Sequence, residues 1–81
     1  MPTPYAPPVK RSVTIACHET SLSLEPAFWD ALTDAATDRQ LPLNALVAQI
    51  DAERIAVRNP PNLASAIRVW LLTYRASSTR A

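Results

Sequence analysis

Between Cys17 and Leu24 the chain alternates polar and apolar positions, and from Pro26 onward the apolar spacing turns helical. Successive side chains of a strand point to opposite faces, so Thr20, Leu22 and Leu24 share one side of an extended segment and Glu19, Ser21 and Ser23 share the other. The stretch from Lys10 to Ala16 carries the β-branched run Val13-Thr14-Ile15 and can also extend. A tight hairpin between the two segments is disfavoured. Such turns usually need positive φ, which Gly or Asn supplies, and only Cys17, His18, Glu19 and Thr20 separate Ala16 from Ser21. A looser hairpin stays open. The pattern therefore predicts one main strand per chain.

Three helices follow. Pro26 suits a first helical turn because its missing N–H would be unpaired there anyway, and Glu25 and Asp30 favour the positive end of the helix dipole. Phe28, Leu32 and Ala35 fall on one face, with Trp29 and Ala36 beside it, and the helix is expected to end at Asp38 to Gln40, ahead of Pro42. The second helix begins at Pro42 or Leu43, where Leu43, Leu46, Val47 and Ile50 follow the i, i+3, i+4, i+7 spacing. Pro60-Pro61 must stop it. Asn62 is the expected cap of a third helix, whose stripe is Leu63, Ala66, Ile67, Trp70, Leu71 and Tyr74. Residues 1–9 read as a flexible proline-rich arm, 10–75 as one domain, and 76–81 as a short polar tail.

A lone strand leaves backbone donors and acceptors unpaired. The simplest remedy is the same strand from a second copy, paired antiparallel about a twofold axis. The size of the chain points the same way. Its 81 residues make one small domain, of a size that buries only roughly 60% of its unfolded surface, and its single cysteine allows no intramolecular disulfide. The expectation is an obligate homodimer.

Charge is unevenly placed along a chain whose formal net charge is +1. Lys10 and Arg11 against Glu19 leave residues 1–24 at +1. Glu25, Asp30, Asp34, Asp38, Asp51 and Glu53 against Arg39 leave 25–53 at −5. Arg54, Arg58, Arg68, Arg75 and Arg80 give 54–81 +5. The arginines of the third helix suit either a second nucleic-acid contact or pairing with the acidic helices, within or across subunits. Asp30, Asp34 and Asp38 lie at i, i+4, i+8 and read as a solvated stripe.

Little points to catalysis or to a cofactor. Cys17 and His18 are each alone of their type, short of the four ligands of a structural zinc site, and a reduced thiol is the expected state of Cys17. A phosphate-cradling glycine loop cannot form in a chain with no glycine. The aromatic residues fall within apolar stripes, which assigns them to packing ahead of base stacking. No apolar run approaches the roughly 20 residues that span a bilayer, no secretory signal opens the chain, and no small-molecule substrate is evident. The simplest localisation is cytoplasmic.

The stretches SLSLEPAFWDAL, LPLNALVAQIDAER and NLASAIRVWLL together resemble the ribbon-helix-helix fold of the Arc and MetJ repressors, and more closely a short bacterial group with an extra helix after the core. The resemblance covers Lys10 to Tyr74. It implies a mainly α intertwined homodimer with an antiparallel two-stranded ribbon that enters the DNA major groove, and an added C-terminal helix. It places Glu19, Ser21 and Ser23 on the base-reading side and the first residues of the second helix, Pro42, Leu43 and Asn44, at a phosphate. Lys10 and Arg11 are the nearby basic groups. Glu19 can accept from cytosine N4 while repelling phosphates, and Pro42 stands where Ser or Thr commonly caps the helix.

The expected function is that of a small dimeric DNA-binding transcriptional regulator, not an enzyme. The alternatives are an interaction module that keeps the fold without useful DNA affinity, favoured by Glu19 and the acidic helices, and an antitoxin-like regulator, for which six residues after Arg75 form a short tail.

Overall fold

The computed structural model describes residues 5–78. Two strands, β1 (Val9–Ile15) and β2 (His18–Leu24), precede three helices, α1 (Pro26–Asp38), α2 (Leu43–Ile55) and α3 (Leu63–Ser78). The strands pair antiparallel in one sheet, so the two-stranded ribbon and the added C-terminal helix are both present. Residues 1–4 of the expected arm and 79–81 of the expected tail lie outside the described residues. The helix itself carries the chain through Ala76 to Ser78. No helix among the described residues is long and apolar enough to cross a membrane.

The expectation of one strand per chain is corrected. Lys10 to Ile15 does pair with its own downstream segment, in a register that runs from Val9 opposite Leu24 to Ile15 opposite His18. Only Ala16 and Cys17 separate the strands, and both have positive φ, 51° and 68°. Positive φ at both central residues is what the two-residue hairpin turn of primed type demands. Without glycine, two residues with a Cβ take the left-handed region at a cost of roughly 1–2 kcal/mol each. Closing the hairpin in return buries Val13, Leu22 and Leu24, each worth about 1.5–3 kcal/mol. Burial outweighs the turn. With β1 in place, β2 has a partner strand within its own chain and does not require a second copy to supply one.

The same device ends α1. Gln40 takes φ 57°, the Leu41 N–H bonds the Ala36 carbonyl at 2.9 Å, and the Gln40 N–H bonds that of Thr37 at 3.0 Å. That is the Schellman pattern, with glutamine where glycine is usual. α3 starts as expected, with the Ser65 N–H donating to Asn62 Oδ1 at 2.8 Å. In the connection before it, Arg54 bonds Asp51 on α2 and the Pro61 carbonyl.

One core joins every element. The inner face of the sheet gives Val13, Leu22 and Leu24. Trp29, Leu32, Ala35 and Ala36 come from α1, Leu46, Val47 and Ile50 from α2, and Ile67 and Leu71 from α3. β1 lies on α2, while β2 lies on α3 and α1. The third helix thus covers the ribbon together with the other two, and the hairpin's other face is left to solvent.

Candidate nucleic-acid interface

The pleat of the hairpin sorts its side chains. On the inner face Arg11 stands opposite Leu22 and Val13 opposite Thr20. On the outer face Lys10 stands opposite Ser23, Ser12 opposite Ser21 and Thr14 opposite Glu19. All six outer residues are exposed. The structure therefore brings Glu19, Ser21 and Ser23 together on one surface, as their alternation predicts, and adds Ser12 and Thr14 from β1. The signal for those two was present, since Ser12-Val13-Thr14-Ile15 itself alternates. The residues that follow it, with neither glycine nor asparagine for a tight turn, argue against local pairing.

Lys10 and Arg11 part company. Lys10 lies on the outer face at the open end of the hairpin. Arg11 points to the other side, where its guanidinium sits 5.0 Å from the centroid of the Trp29 ring. The Trp29 indole N–H in turn donates to the Val9 carbonyl at 2.9 Å. One buried aromatic side chain thereby fixes both the start of β1 and the first basic group that faces inward.

The start of α2 sits against the ribbon. Pro42 occupies the cap position, with no side-chain cap bond, and its carbonyl accepts from the Ala45 and Leu46 N–H groups. Leu43 is half-buried against the core. Asn44 is exposed, and its Oδ1 accepts from the Thr14 N–H at 3.3 Å. The first turn of α2, with its outward-directed N–H groups, is thus held beside the outer edge of β1. The two parts that the resemblance assigns to base reading and phosphate holding are adjacent in one chain.

Electrostatics on this face are sparse. Among the described residues neither Lys10 nor Glu19 enters an ion pair, and they lie at opposite ends of the hairpin. The arginines of the helices are largely engaged elsewhere. Arg68 of α3 pairs with Glu25 at 2.9 Å, Arg54 with Asp51 at 2.9 Å, and Arg39 lies 5.7 Å from the centroid of the Trp70 ring, which stacks on Tyr74. Tyr74 also donates to Asp38. The acidic stripe of α1 is exposed, and its Asp38 serves as an acceptor for α3. Among the described residues no group of three or more His, Cys, Asp or Glu side chains is placed to hold a metal.

A sequence profile of the ribbon-helix-helix domain matches residues 8–75. The chain belongs to the ribbon-helix-helix domain family. No curated protein and no solved structure matches it. Ribbon-helix-helix domains are a non-enzymatic regulatory fold, generally DNA-binding, found in transcription regulators and antitoxins, and they typically form homodimers. In this ribbon-helix-helix chain both strands of the ribbon come from one molecule, and the outward face is built mainly from hydroxyl side chains.

Proposed function

We propose that the protein binds duplex DNA and acts as a transcriptional regulator, with the outer face of its hairpin in the major groove. The observation that carries this reading is the single exposed polar face of Lys10, Ser12, Thr14, Glu19, Ser21 and Ser23 with the first turn of α2 fastened beside it through Asn44. A two-stranded ribbon fits the width of the major groove. Hydroxyls can donate to or accept from base edges, Lys10 can donate to guanine O6 and N7, and Glu19 can accept from cytosine N4. The N–H groups of Leu43 and Asn44 suit a phosphate oxygen at the groove's rim. Arg11, turned onto Trp29, is assigned to positioning the ribbon, not to bases or phosphates. Two copies, if they associate, would present two hairpins where other members share one. The localisation that goes with this role is cytoplasmic.

A second reading, an interaction module without useful DNA affinity, draws on the zero net charge of the face, where Glu19 offsets Lys10. Gel-shift titration against random genomic fragments at low salt, with and without competitor DNA, separates the two. Retention of fragments by the native protein, weakened by Lys10→Ala, supports DNA binding. Failure of both the native protein and Glu19→Arg to retain any fragment supports the interaction module.

A further inference from the structure

The two edges of the hairpin are unlike. Ile15 and His18 flank the turn as a hydrogen-bonded pair, and from there bonded and non-bonded pairs alternate along the antiparallel ladder. Lys10, Ser12 and Thr14 on β1 and Glu19, Ser21 and Ser23 on β2 therefore direct their backbone N–H and C=O groups away from the hairpin. The bond from the Thr14 N–H to Asn44 Oδ1 fits that phase, and with α2 packed on β1 it guards the edge of β1. Among the described residues no hydrogen bond reaches the outward backbone groups of β2. A strand edge left in this state is a template for another strand. The outer face carries a second unmatched feature. Lys10 stands at the open end and Glu19 beside the turn, and among the described residues neither enters an ion pair.

We infer that a second copy of the chain seats on the open edge of β2, antiparallel about a twofold axis through Ser21, and that Lys10 of each copy pairs with Glu19 of the other. An axis normal to the sheet keeps both helical layers on one side and both outer faces on the other. The charges choose the register. With the axis at Ser21, Glu19 stands opposite the partner's Ser23, which lies opposite Lys10 on its own β1. One row of the four-stranded sheet then runs Thr14, Glu19, the partner's Ser23, the partner's Lys10. Carboxylate and ammonium are two strands apart on one face, about 10 Å between Cα atoms at ~4.8 Å per strand, a gap that these two long side chains span together. An axis at Glu19 would set carboxylate against carboxylate, a destabilising pair. An axis at Thr20 or Leu22 leaves Glu19 and Lys10 in different rows. The middle row is serine throughout, Ser12 and Ser21 from each copy. The outer face is thus completed by the second copy, with a row of opposite charges at each end and hydroxyls at its centre. Because α2 and Asn44 guard β1, strand addition ends at two copies.

Cross-linking and charge reversal test this. Ser21→Cys and Ser23→Cys are each made in a Cys17→Ser background, oxidised, and weighed by mass spectrometry under denaturing conditions. On the axis, residue 21 and its copy form a bonded pair about 5.5 Å apart between Cα atoms, within the reach of a disulfide. The expected products are a covalent pair of chains from Ser21→Cys and single chains from Ser23→Cys. Single chains from Ser21→Cys, or a covalent pair from Ser23→Cys alone, would overturn the inference. The second measurement is sedimentation equilibrium of the full chain. Lys10→Glu and Glu19→Lys should each raise the dimer dissociation constant about fivefold, the upper range for an exposed ion pair, and the double reversal Lys10→Glu/Glu19→Lys should return it to the native value. A double variant as weak as the single ones would overturn the pairing, and a native protein that sediments as one chain at micromolar concentration would overturn the contact itself. Neither measurement contains DNA, so a dimer that retains no fragment in the gel shift would remove the DNA-binding reading and leave this interface standing.

Discussion

Arg68 of α3 grips Glu25, the residue between β2 and α1, with its Nε and Nη2 at 3.2 and 2.9 Å from the same carboxylate oxygen. Its guanidinium also lies 5.5 Å from the centroid of the Phe28 ring. The added helix is thus tied to the junction at which the ribbon becomes helical. The hydrogen bond from Arg68, then that from its own backbone, holds the Glu25 carboxyl below its usual pKa, against the opposing effect of desolvation.

This pair sets a direction for acid sensitivity. A carboxyl with a lowered folded-state pKa contributes stability that is fully present above its unfolded value and is lost as pH falls through the folded one. The native protein is therefore expected to lose melting temperature as pH drops through and below the ordinary carboxylate range. Arg68→Met should lower the melting temperature at neutral pH and flatten that acid limb. Equal acid limbs in the two proteins, followed by circular dichroism, would assign the pH dependence to other groups.

The turn offers a stabilising substitution. Ala16→Asn with Cys17→Gly installs the residues that take positive φ readily. It should raise the unfolding free energy by about 1–2 kcal/mol, less the entropy that glycine loses on folding. Urea denaturation measures this directly. A loss of stability would contradict a two-residue turn at these positions.

The register of the ribbon can be checked residue by residue. Leu22 is 3% exposed and Ser23 beside it is on the outer face. Leu22→Ala is expected to cost about 2–5 kcal/mol, whereas Ser23→Ala should stay within about 0.5 kcal/mol. Leu22→Asp would bury an unpaired charge and should unfold the protein. Similar urea midpoints for the Leu22→Ala and Ser23→Ala variants would shift the register by one residue.

Salt dependence follows from where the two basic residues point. With Lys10 on the reading face and Arg11 on Trp29, one hairpin offers one full-charge groove contact, which corresponds to a log–log salt slope of about −0.9. Affinity should then fall only about threefold to fourfold between 50 and 200 mM salt. Lys10→Ala should flatten the slope, and Glu19→Arg should bind more tightly with a slope steeper by about 0.9. Fluorescence anisotropy across a salt series reads both. An unchanged slope in Lys10→Ala would place that side chain outside the contact.

Much of this was legible in the sequence because it depends on local rules. The stripes of α1, α2 and α3 follow from apolar spacing, the start of α3 from Asn62, and the face of Glu19, Ser21 and Ser23 from the period of two. The hairpin was not legible because turn chemistry argues against it. Ala16 and Cys17 adopt positive φ only since the buried side chains of the whole fold outweigh the local cost. Tertiary contact also hid the fate of Arg11. Its neighbour in sequence, Lys10, faces solvent, and nothing between residues 10 and 29 announces that an indole waits under the next guanidinium. Asn44 is a similar case, since its bond to Thr14 spans thirty positions.

Trp29 is 1% exposed, bonded through its indole N–H to the first residue of β1 and covered by Arg11. The protein therefore carries an intrinsic chromophore whose surroundings change when the hairpin lifts from the helices. In a Trp70→Phe background, red-shifted emission and faster quenching by iodide would report the loss of that cover with no label attached, and a parallel far-ultraviolet circular dichroism trace would time helix melting beside it.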